Sequence, residues 1–477
     1  MAIITRPTAG VSLLGGSIAA SPNVCEHPAA RRARPWTGEP GTSGTVAVVG
    51  AGKMGLPLAA QFASHGWEVI AVDVQQGVVD SINAGLSHVE AEPGLADLVS
   101  QAHAAGRLRA TVDGTAAARG ADVVVIIVPV MLDAGGRPDF VYMDAAVEAI
   151  GPGLHPGATV IFETTLPVGT TRDRYVPWLE AASGLRVEGD LFVAFSPERL
   201  YSGAALANLA TYPKLVGGIG PRSGERAAAF YASVLDADIH LLSSAEAAEF
   251  SKLADTTYRD VNIALANEFA AYADAVGVDV REVIAAANTQ PYSHIHQPGL
   301  GVGGHCIPVY PRFLLAEAPD LALVATARRI NDGQVDRAVE VLEERLGGLR
   351  GAQVLVLGLT YRHGVKELAY SRALALIDQL RAAGATVLAY DPLLSAGEVA
   401  ALGATAWAWA SPVAVRAIVA QTGDRAWQDL DWSWFPELEL IYDGRNTLAA
   451  TERPPRVAYV GVGVPDERAG VVAPASR

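Results

Sequence analysis

The stretch Val46-Ala-Val-Val-Gly50-Ala-Gly52-Lys53-Met54-Gly55-Leu-Pro57 decides the fold. A β-branched run passes directly into G-x-G-x-x-G and then into helix formers, the strand-turn-helix order of a dinucleotide-binding βαβ unit. Gly50 allows the tight turn, Gly52 lets backbone approach a pyrophosphate, and Gly55 lets helix and strand pack closely. Asp73 closes the next predicted strand, about 20 residues on, where an acid accepts hydrogen bonds from a ribose 2′-hydroxyl and repels a 2′-phosphate. NAD is therefore the expected cofactor in preference to NADP, with Lys53 and Met54 in the loop that meets it. A glycine fingerprint alone is weak evidence; here strand, turn, helix, second strand and acid fall in register.

Outward from this unit, short β-branched runs alternate with Ala-rich helical stretches, the signature of a doubly wound parallel sheet. Strands are predicted at 46–49, 69–73, 123–128, 159–162 and 191–195, giving a first Rossmann-type α/β domain over 45–220. Residues 243–276 open with Ser243 and Glu246 in capping-box spacing, stay rich in helix formers and stop at Gly277, which predicts one long helix. A further helical stretch at 321–346 leads to a strand at 354–357, a helix to Ala383, then Gly384 and a strand ending at Asp391 and Pro392. This is a second Rossmann-type α/β domain, at 349–465, joined to the first by a long central helical segment at 221–348. Residues 1–44, with five prolines and no sustained period, read as a disordered extension, and 466–477 as a tail.

At 477 residues and 50% hydrophobic, the chain is long enough for several buried cores. A formal net charge of -15 offers no basic field for nucleic acid or anionic membranes. No apolar run reaches the roughly 18 to 20 residues of a membrane span. Cys25 and Cys306, the two cysteines, make no disulfide framework, so a soluble protein of the reducing cytoplasm is expected, with no metal. Lysine occurs only at 53, 214, 252 and 366.

The most informative segment is Gln297-Pro-Gly299-Leu-Gly301-Val-Gly303-Gly304-His305-Cys306-Ile-Pro308-Val-Tyr310-Pro311. Its glycines let a loop close on a ligand, and a cysteine ahead of a proline-started helix has its thiolate favoured by the helix N-terminus. A buried small hydrophobe is an equally good reading of that cysteine taken alone.

With this loop the chain resembles the UDP-glucose/GDP-mannose dehydrogenase family, nearest to its UDP-N-acetylmannosamine and UDP-N-acetylglucosamine type, over roughly residues 45 to 463. Further matching segments are Glu163-Thr-Thr165-Leu-Pro-Val-Gly-Thr-Thr171, Ser196-Pro-Glu198-Arg199-Leu200, Lys214-Leu-Val-Gly-Gly218, Lys252 through Arg259-Asp-Val-Asn262 to Asn267-Glu268, and Asp443-Gly444-Arg445-Asn446. The resemblance implies NAD-dependent oxidation of the C6 hydroxyl of a nucleotide sugar, UDP-linked by preference, to the uronate, serving polysaccharide or antibiotic biosynthesis. Cys306 would be the nucleophile that traps the aldehyde as a thiohemiacetal and then a thioester. Lys252 would steady the oxyanion, and Glu198 with Thr165 would handle a water or proton. Val128, Pro129 and Thr165 would complete the cofactor site. Substrate contacts would come from Glu198, Arg199, Leu200, Lys252, Arg259, Asn262, Gly301, Gly303, Gly304, His305, Tyr361, Arg362 and Arg445, and a homodimer would form through the central helix.

The pattern also breaks. The family asparagine one helical turn after Lys252 is Thr256, and the aspartate four residues after Cys306 is Tyr310, for which aromatic packing is the expected role. Tyr361-Arg362 replaces phenylalanine-lysine, Glu367-Leu-Ala369-Tyr-Ser371 replaces D-x-R-x-S, and Val130 replaces a threonine. These changes at the presumed catalytic positions leave two other expectations open. One is a diverged relative that stops at the aldehyde or works redox-neutrally, as an epimerase would. The other is a non-catalytic nucleotide-binding paralogue.

Overall fold

The computed structural model describes residues 44–465 except 91, 202 and 449–452. The expected extension 1–44, residue 44 aside, and the tail 466–477 lie outside the described residues, as does Cys25. Strands β1 (Thr45–Val49), β2 (Glu68–Val72), β3 (Leu108–Thr111), β4 (Val123–Ile126), β5 (Thr159–Phe162), β6 (Phe192–Phe195), β7 (Lys214–Gly218) and β8 (Ile239–Leu242) form one sheet. Their order is β8-β7-β6-β5-β4-β1-β2-β3, parallel throughout except between β6 and β7. The run from β3 to β6 is the doubly wound order 3-2-1-4-5-6, whose crevice opens between β1 and β4. Val123 and Val125 of β4 enter one core and Val124 and Ile126 the other, so a strand covered on both faces reads as one apolar run.

The first sheet carries its unit past residue 220. Helix Pro221–Val234 packs Ala227, Phe230, Tyr231 and Val234 into the first core, and β8 pairs with β7. The β8 sequence Ile-His-Leu-Leu has only partly covered or exposed residues, so its pattern carries little strand signal.

A second sheet holds β9 (Gln353–Leu357), β10 (Thr386–Tyr390), β11 (Thr405–Ala406), β12 (Ala417–Ala420), β13 (Leu440–Asp443) and β14 (Ala458–Gly461). The order β11-β10-β9-β12-β13-β14 repeats the Rossmann pattern. Both domains use the same local device. The acid after the second strand accepts from the loop after the first: Ala51 N–H on Asp73 Oδ2 at 3.0 Å, and Leu359 and Thr360 N–H on Asp391 Oδ2 at 2.7 and 3.0 Å.

The central helix, Ala245–Val276, ends at Gly277 in the left-handed region with φ +73°. Its N-cap is Ser244, whose Oγ accepts the Ala247 N–H at 3.2 Å, one residue later than the expected Ser243 cap. Glu246, the expected capping-box partner, pairs with Arg172 instead. Gly217 is required here, since a Cβ on it would lie 2.0 Å from the Ser244 carbonyl oxygen where the helix starts across the sheet. The stretch expected at 321–346 is two helices, Ala322–Asp332 and Gln334–Leu346, broken at Gly333. None of the described helices is long and apolar enough to cross a membrane.

One polar face of the central helix sets the register of the molecule. Glu249 accepts from Gly169 N–H at 2.6 Å and from Thr171 N–H and Oγ1 at 2.9 and 2.6 Å. Asp260 receives Arg328 at 2.5 Å and Asn331 at 2.8 Å, and Asn267 accepts the Gly299 N–H at 2.9 Å. Lys252 and Thr256 lie on the same face, between these anchors.

Burial raises the Glu249 carboxyl to about 7, with the Thr171 and Gly169 donors opposing. The folded state therefore keeps a proton that the unfolded chain loses near pH 4.3, and this group's contribution to stability falls as pH rises from about 4.5 to about 7. Thermal melts of Glu249→Gln are expected to show a deficit against the unsubstituted protein that is larger near pH 5 than near pH 8. An equal deficit at both values would contradict this assignment.

Candidate active site

The cofactor loop sits at the crevice. Gly50 has φ +98°, closed to most side chains, and donates its N–H to the Val72 carbonyl at 2.8 Å. A Cβ on Gly55 would stand 1.8 Å from the Gly50 oxygen, whereas one on Gly52 would meet nothing within 4 Å. Open space over Gly52, the helix start at Gly55 and the half-buried Asp73 carboxylate together fit a dinucleotide pyrophosphate and ribose. Gly55→Ala is expected to push the helix from the strand, weakening NAD binding at least tenfold and destabilising the fold by about 1 to 3 kcal/mol. Calorimetry and thermal melts check both, and unaltered NAD affinity would contradict the close-packing role.

Met54 is the N-cap residue of helix Gly55–Ser64, and Lys53 pairs with Glu367 of the second domain at 2.6 Å. The Val128 carbonyl accepts from Thr164 Oγ1 at 2.5 Å, beside Pro129. Val130, at the family's threonine position, is buried in a core, so packing has replaced a hydroxyl there.

Cys306 lies where the two domains and the central helix meet. Its carbonyl accepts the N–H of Val309 at 3.2 Å and of Tyr310 at 2.9 Å, and the helix proper is Tyr310–Glu317 with Pro311 in its first turn. Pro308 therefore belongs to the preceding turn, not to the helix start as its position suggested. Val309 and Phe313 are buried in the first domain's core, which fixes the thiol against that domain. From the other side, a Cβ on Gly304 would meet the Tyr361 ring at 3.0 Å, and one on Gly303 would meet the Tyr370 carbonyl at 2.8 Å. Only glycines let the cysteine loop lie this close to the second domain.

Lys252 is 7% exposed, and burial pulls its ammonium below the ordinary lysine value while the charges of Cys306, Asp255 and Glu198 oppose. Thr256 is buried, and its hydroxyl donates to the Lys252 carbonyl at 2.9 Å. The residue in place of the family's amide thus gives its proton to its own helix. Thr165 is also buried, in the loop between β5 and the Gly169–Thr171 turn that Glu249 holds.

Glu198 belongs to a buried acid cluster. Its Oε1 accepts from the Arg199 and Leu200 N–H groups at 2.5 and 2.8 Å, and its Oε2 from Lys214 at 3.1 Å. Lys214 is also 3.1 Å from Glu163, whose other oxygen takes the Tyr231 hydroxyl. Burial raises the Glu163 carboxyl, while Lys214 and the hydrogen bonds hold Glu198 low. Glu163 and Lys214 lie inside motifs shared with the family, but their spacing along the chain signals no role. Only the fold brings β5, the β6 end, β7 and helix Pro221–Val234 together.

The remaining expected residues divide. Arg445 donates to the Gln421 and Gly301 carbonyls at 3.2 and 3.1 Å and so holds the cysteine loop. Asn262 bonds the His294 carbonyl and the His296 N–H at 2.7 and 2.8 Å, pinning the segment before that loop. Arg259 stacks over Tyr201 at 5.5 Å and Arg362 over Tyr361 at 5.7 Å. His305 lies 3.9 Å from Glu367, the same acid that receives Lys53.

A dinucleotide fold that opens toward a thiol and a buried ammonium is the build of an NAD-dependent oxidoreductase. Family models narrow the class: the NAD binding domain of the UDP-glucose/GDP-mannose dehydrogenase family matches residues 44–235, its central domain 246–333 and its UDP binding domain 355–450. The chain belongs to this family, whose members oxidise nucleotide sugars with NAD. It is 35% identical over 430 residues to a UDP-N-acetyl-D-mannosamine dehydrogenase of Pyrococcus horikoshii, covering 88% of this chain and 99% of the relative. An NDP-N-acetyl-D-galactosaminuronic acid dehydrogenase of Ralstonia nicotianae is 36% identical over 357 residues, covering 73% and 83%. Among solved structures, the UDP-D-ManNAc dehydrogenase of Pyrococcus horikoshii superposes with TM-score 0.79 at 33% identity, covering 88% of this chain and 99% of that one. A UDP-glucose dehydrogenase of Pyrobaculum islandicum gives 0.80 at 27%, covering 89% and 99%.

Proposed function

We propose that the chain oxidises the C6 hydroxyl of a UDP-linked sugar to the carboxylate, with Cys306 as the covalent carrier. What supports this reading is the Cys306 loop, seated between the first domain's core at Val309 and Phe313 and the second domain's Tyr361 at Gly304, with the buried Lys252 of the central helix within reach of the thiol's charge. NAD, when bound at the Gly50–Gly55 loop, supplies the two-electron acceptor for each oxidation. Cys306 Sγ adds to the aldehyde carbon, holds it as a thiohemiacetal, and carries the thioester left by the second oxidation. Hydrolysis of that ester frees the carboxylate and restores the thiol. Lys252 donates to the oxygen that becomes negative, and the buried, protein-lined surroundings strengthen that contact. Thr165 and Glu198 orient the water, with Glu198 taking its proton. A thiol carrier requires a reducing compartment, and the cytoplasm supplies one.

A second reading is favoured by Thr256 and Tyr310: with the family's amide and acid replaced, oxidation stops at the aldehyde or is reversed within one turnover. The NADH yield separates the readings. Purified protein with NAD and a panel of UDP-, GDP- and TDP-sugars is expected to form NADH with at least one UDP-sugar. NAD binding with no NADH from any sugar would overturn the dehydrogenase reading.

The central helix also presents Tyr258, Leu265, Phe269, Tyr272 and Val276 at helical spacing, with Tyr272 68% exposed. We read this stripe as the contact of a homodimer. Light scattering is expected to give a dimer mass for the unsubstituted protein and a monomer mass for Tyr272→Asp. A monomeric unsubstituted protein would contradict it.

A further inference from the structure

The first strand-to-helix loops of the two Rossmann domains touch each other. One is the cofactor loop after β1; the other runs from Gly358, after β9, to Ser371, which caps the helix Arg372–Ala382. Their contact is charged: Lys53 Nζ stands 2.6 Å from Glu367 Oε2, while Glu367 Oε1 accepts the Ala369 N–H at 3.1 Å. Glu367 is fixed in its loop, its N–H donating to the Val365 carbonyl at 2.8 Å and its carbonyl accepting the Tyr361 N–H at 3.0 Å. The same loop backs the cysteine segment, since the Ala369 carbonyl accepts the Gly304 N–H at 3.0 Å. Lys53 is the looser partner, its side chain 53% exposed against 24% for Glu367. It follows Gly52, where open space fits a pyrophosphate, and lies just ahead of the helix start at Gly55, so its flexible side chain can serve either anion.

We propose that Lys53 serves two anions in turn, the pyrophosphate of NAD and Glu367, so that Glu367 competes for the lysine and hastens cofactor release. The inference rests on NAD occupying the Gly50–Gly55 loop, and it deepens the proposed function. A sugar held on Cys306 through two oxidations requires one cofactor to leave and another to enter while the covalent link persists. Tight retention of the first would stall that exchange. A carboxylate set in the second domain, which takes the lysine back, lowers cofactor affinity without altering the glycine loop or Asp73. Glu367 is thus a determinant of cofactor exchange that acts through Lys53, and it takes no part in the chemistry at the sulfur.

Calorimetric NAD binding to the full chain tests this without turnover, with thermal melts to check that each variant folds. Glu367→Gln keeps an oxygen for the Ala369 N–H and loses the charge. It is expected to bind NAD about threefold more tightly, the scale of one exposed ion pair, and to release NADH about threefold more slowly in stopped flow. Lys53→Met is expected to weaken NAD binding about tenfold, as loss of one charge-assisted contact to phosphate implies. The decisive arm is the double variant, Lys53→Met with Glu367→Gln, which is expected to match Lys53→Met because Glu367 acts only through the lysine. Unchanged NAD affinity in Glu367→Gln would overturn the proposal. So would an equal gain with and without Lys53, which would mean plain repulsion between the carboxylate and the phosphates. Failure of the dehydrogenase reading is a different result: NAD affinities that follow this pattern while no sugar yields NADH. An unsubstituted protein that binds no NAD would contradict the cofactor site itself, and this inference with it.

Discussion

Cys306→Ala is expected to abolish carboxylate formation, a loss of about 10⁴-fold or more, because no other side chain can take over the covalent link to the sugar. NAD affinity should stay within about twofold, since the Gly50–Gly55 loop and Asp73 belong to the first domain and Cys306 enters from outside it. Calorimetric NAD binding and product analysis by mass spectrometry test the two halves separately. Residual carboxylate at more than about one per cent of the unsubstituted rate would exclude sulfur as the obligatory carrier.

Lys252→Met comes second in size, with kcat expected to fall about 10² to 10³-fold and KM to change far less. The substitution keeps the stem volume at a position that is 7% exposed, so the loss reports the charge and not the packing. Lys252→Arg is not a rescue: a planar fork does not fit where a compact ammonium is buried. A Lys252→Met enzyme with an unchanged kcat and a raised KM would move Lys252 from transition-state stabilisation to substrate binding.

The sequence made the cofactor loop legible because each glycine answers a local demand, and the structure gives the demands: a positive φ at Gly50 and a carbonyl 1.8 Å from any Cβ on Gly55. The strands buried on both faces were legible for a similar reason, as apolar runs between turn signals. β8 was not, since an edge strand of partly exposed residues lacks that run. The long helix was legible through its composition and Gly277. Its cap fell one residue late because Ser243 and Ser244 are adjacent and only the Ala247 N–H distinguishes them. Side-chain partnerships across the fold were the least legible. No spacing predicts that the Arg445 guanidinium lies on the Gln421 and Gly301 carbonyls. The pairing of Glu163 with Lys214 and Glu198 depends on strand order, which no spacing along the chain reveals.

The central claim is complete oxidation through a sulfur carrier. The most direct test is the yield of NADH from a limiting amount of the UDP-sugar that the panel selects, with the product identified by mass. Two NADH per sugar and a carboxylate product are predicted. One NADH with an aldehyde, or none with an isomerised sugar, would contradict the claim and show that replacing the family's amide and acid by Thr256 and Tyr310 had ended the second oxidation.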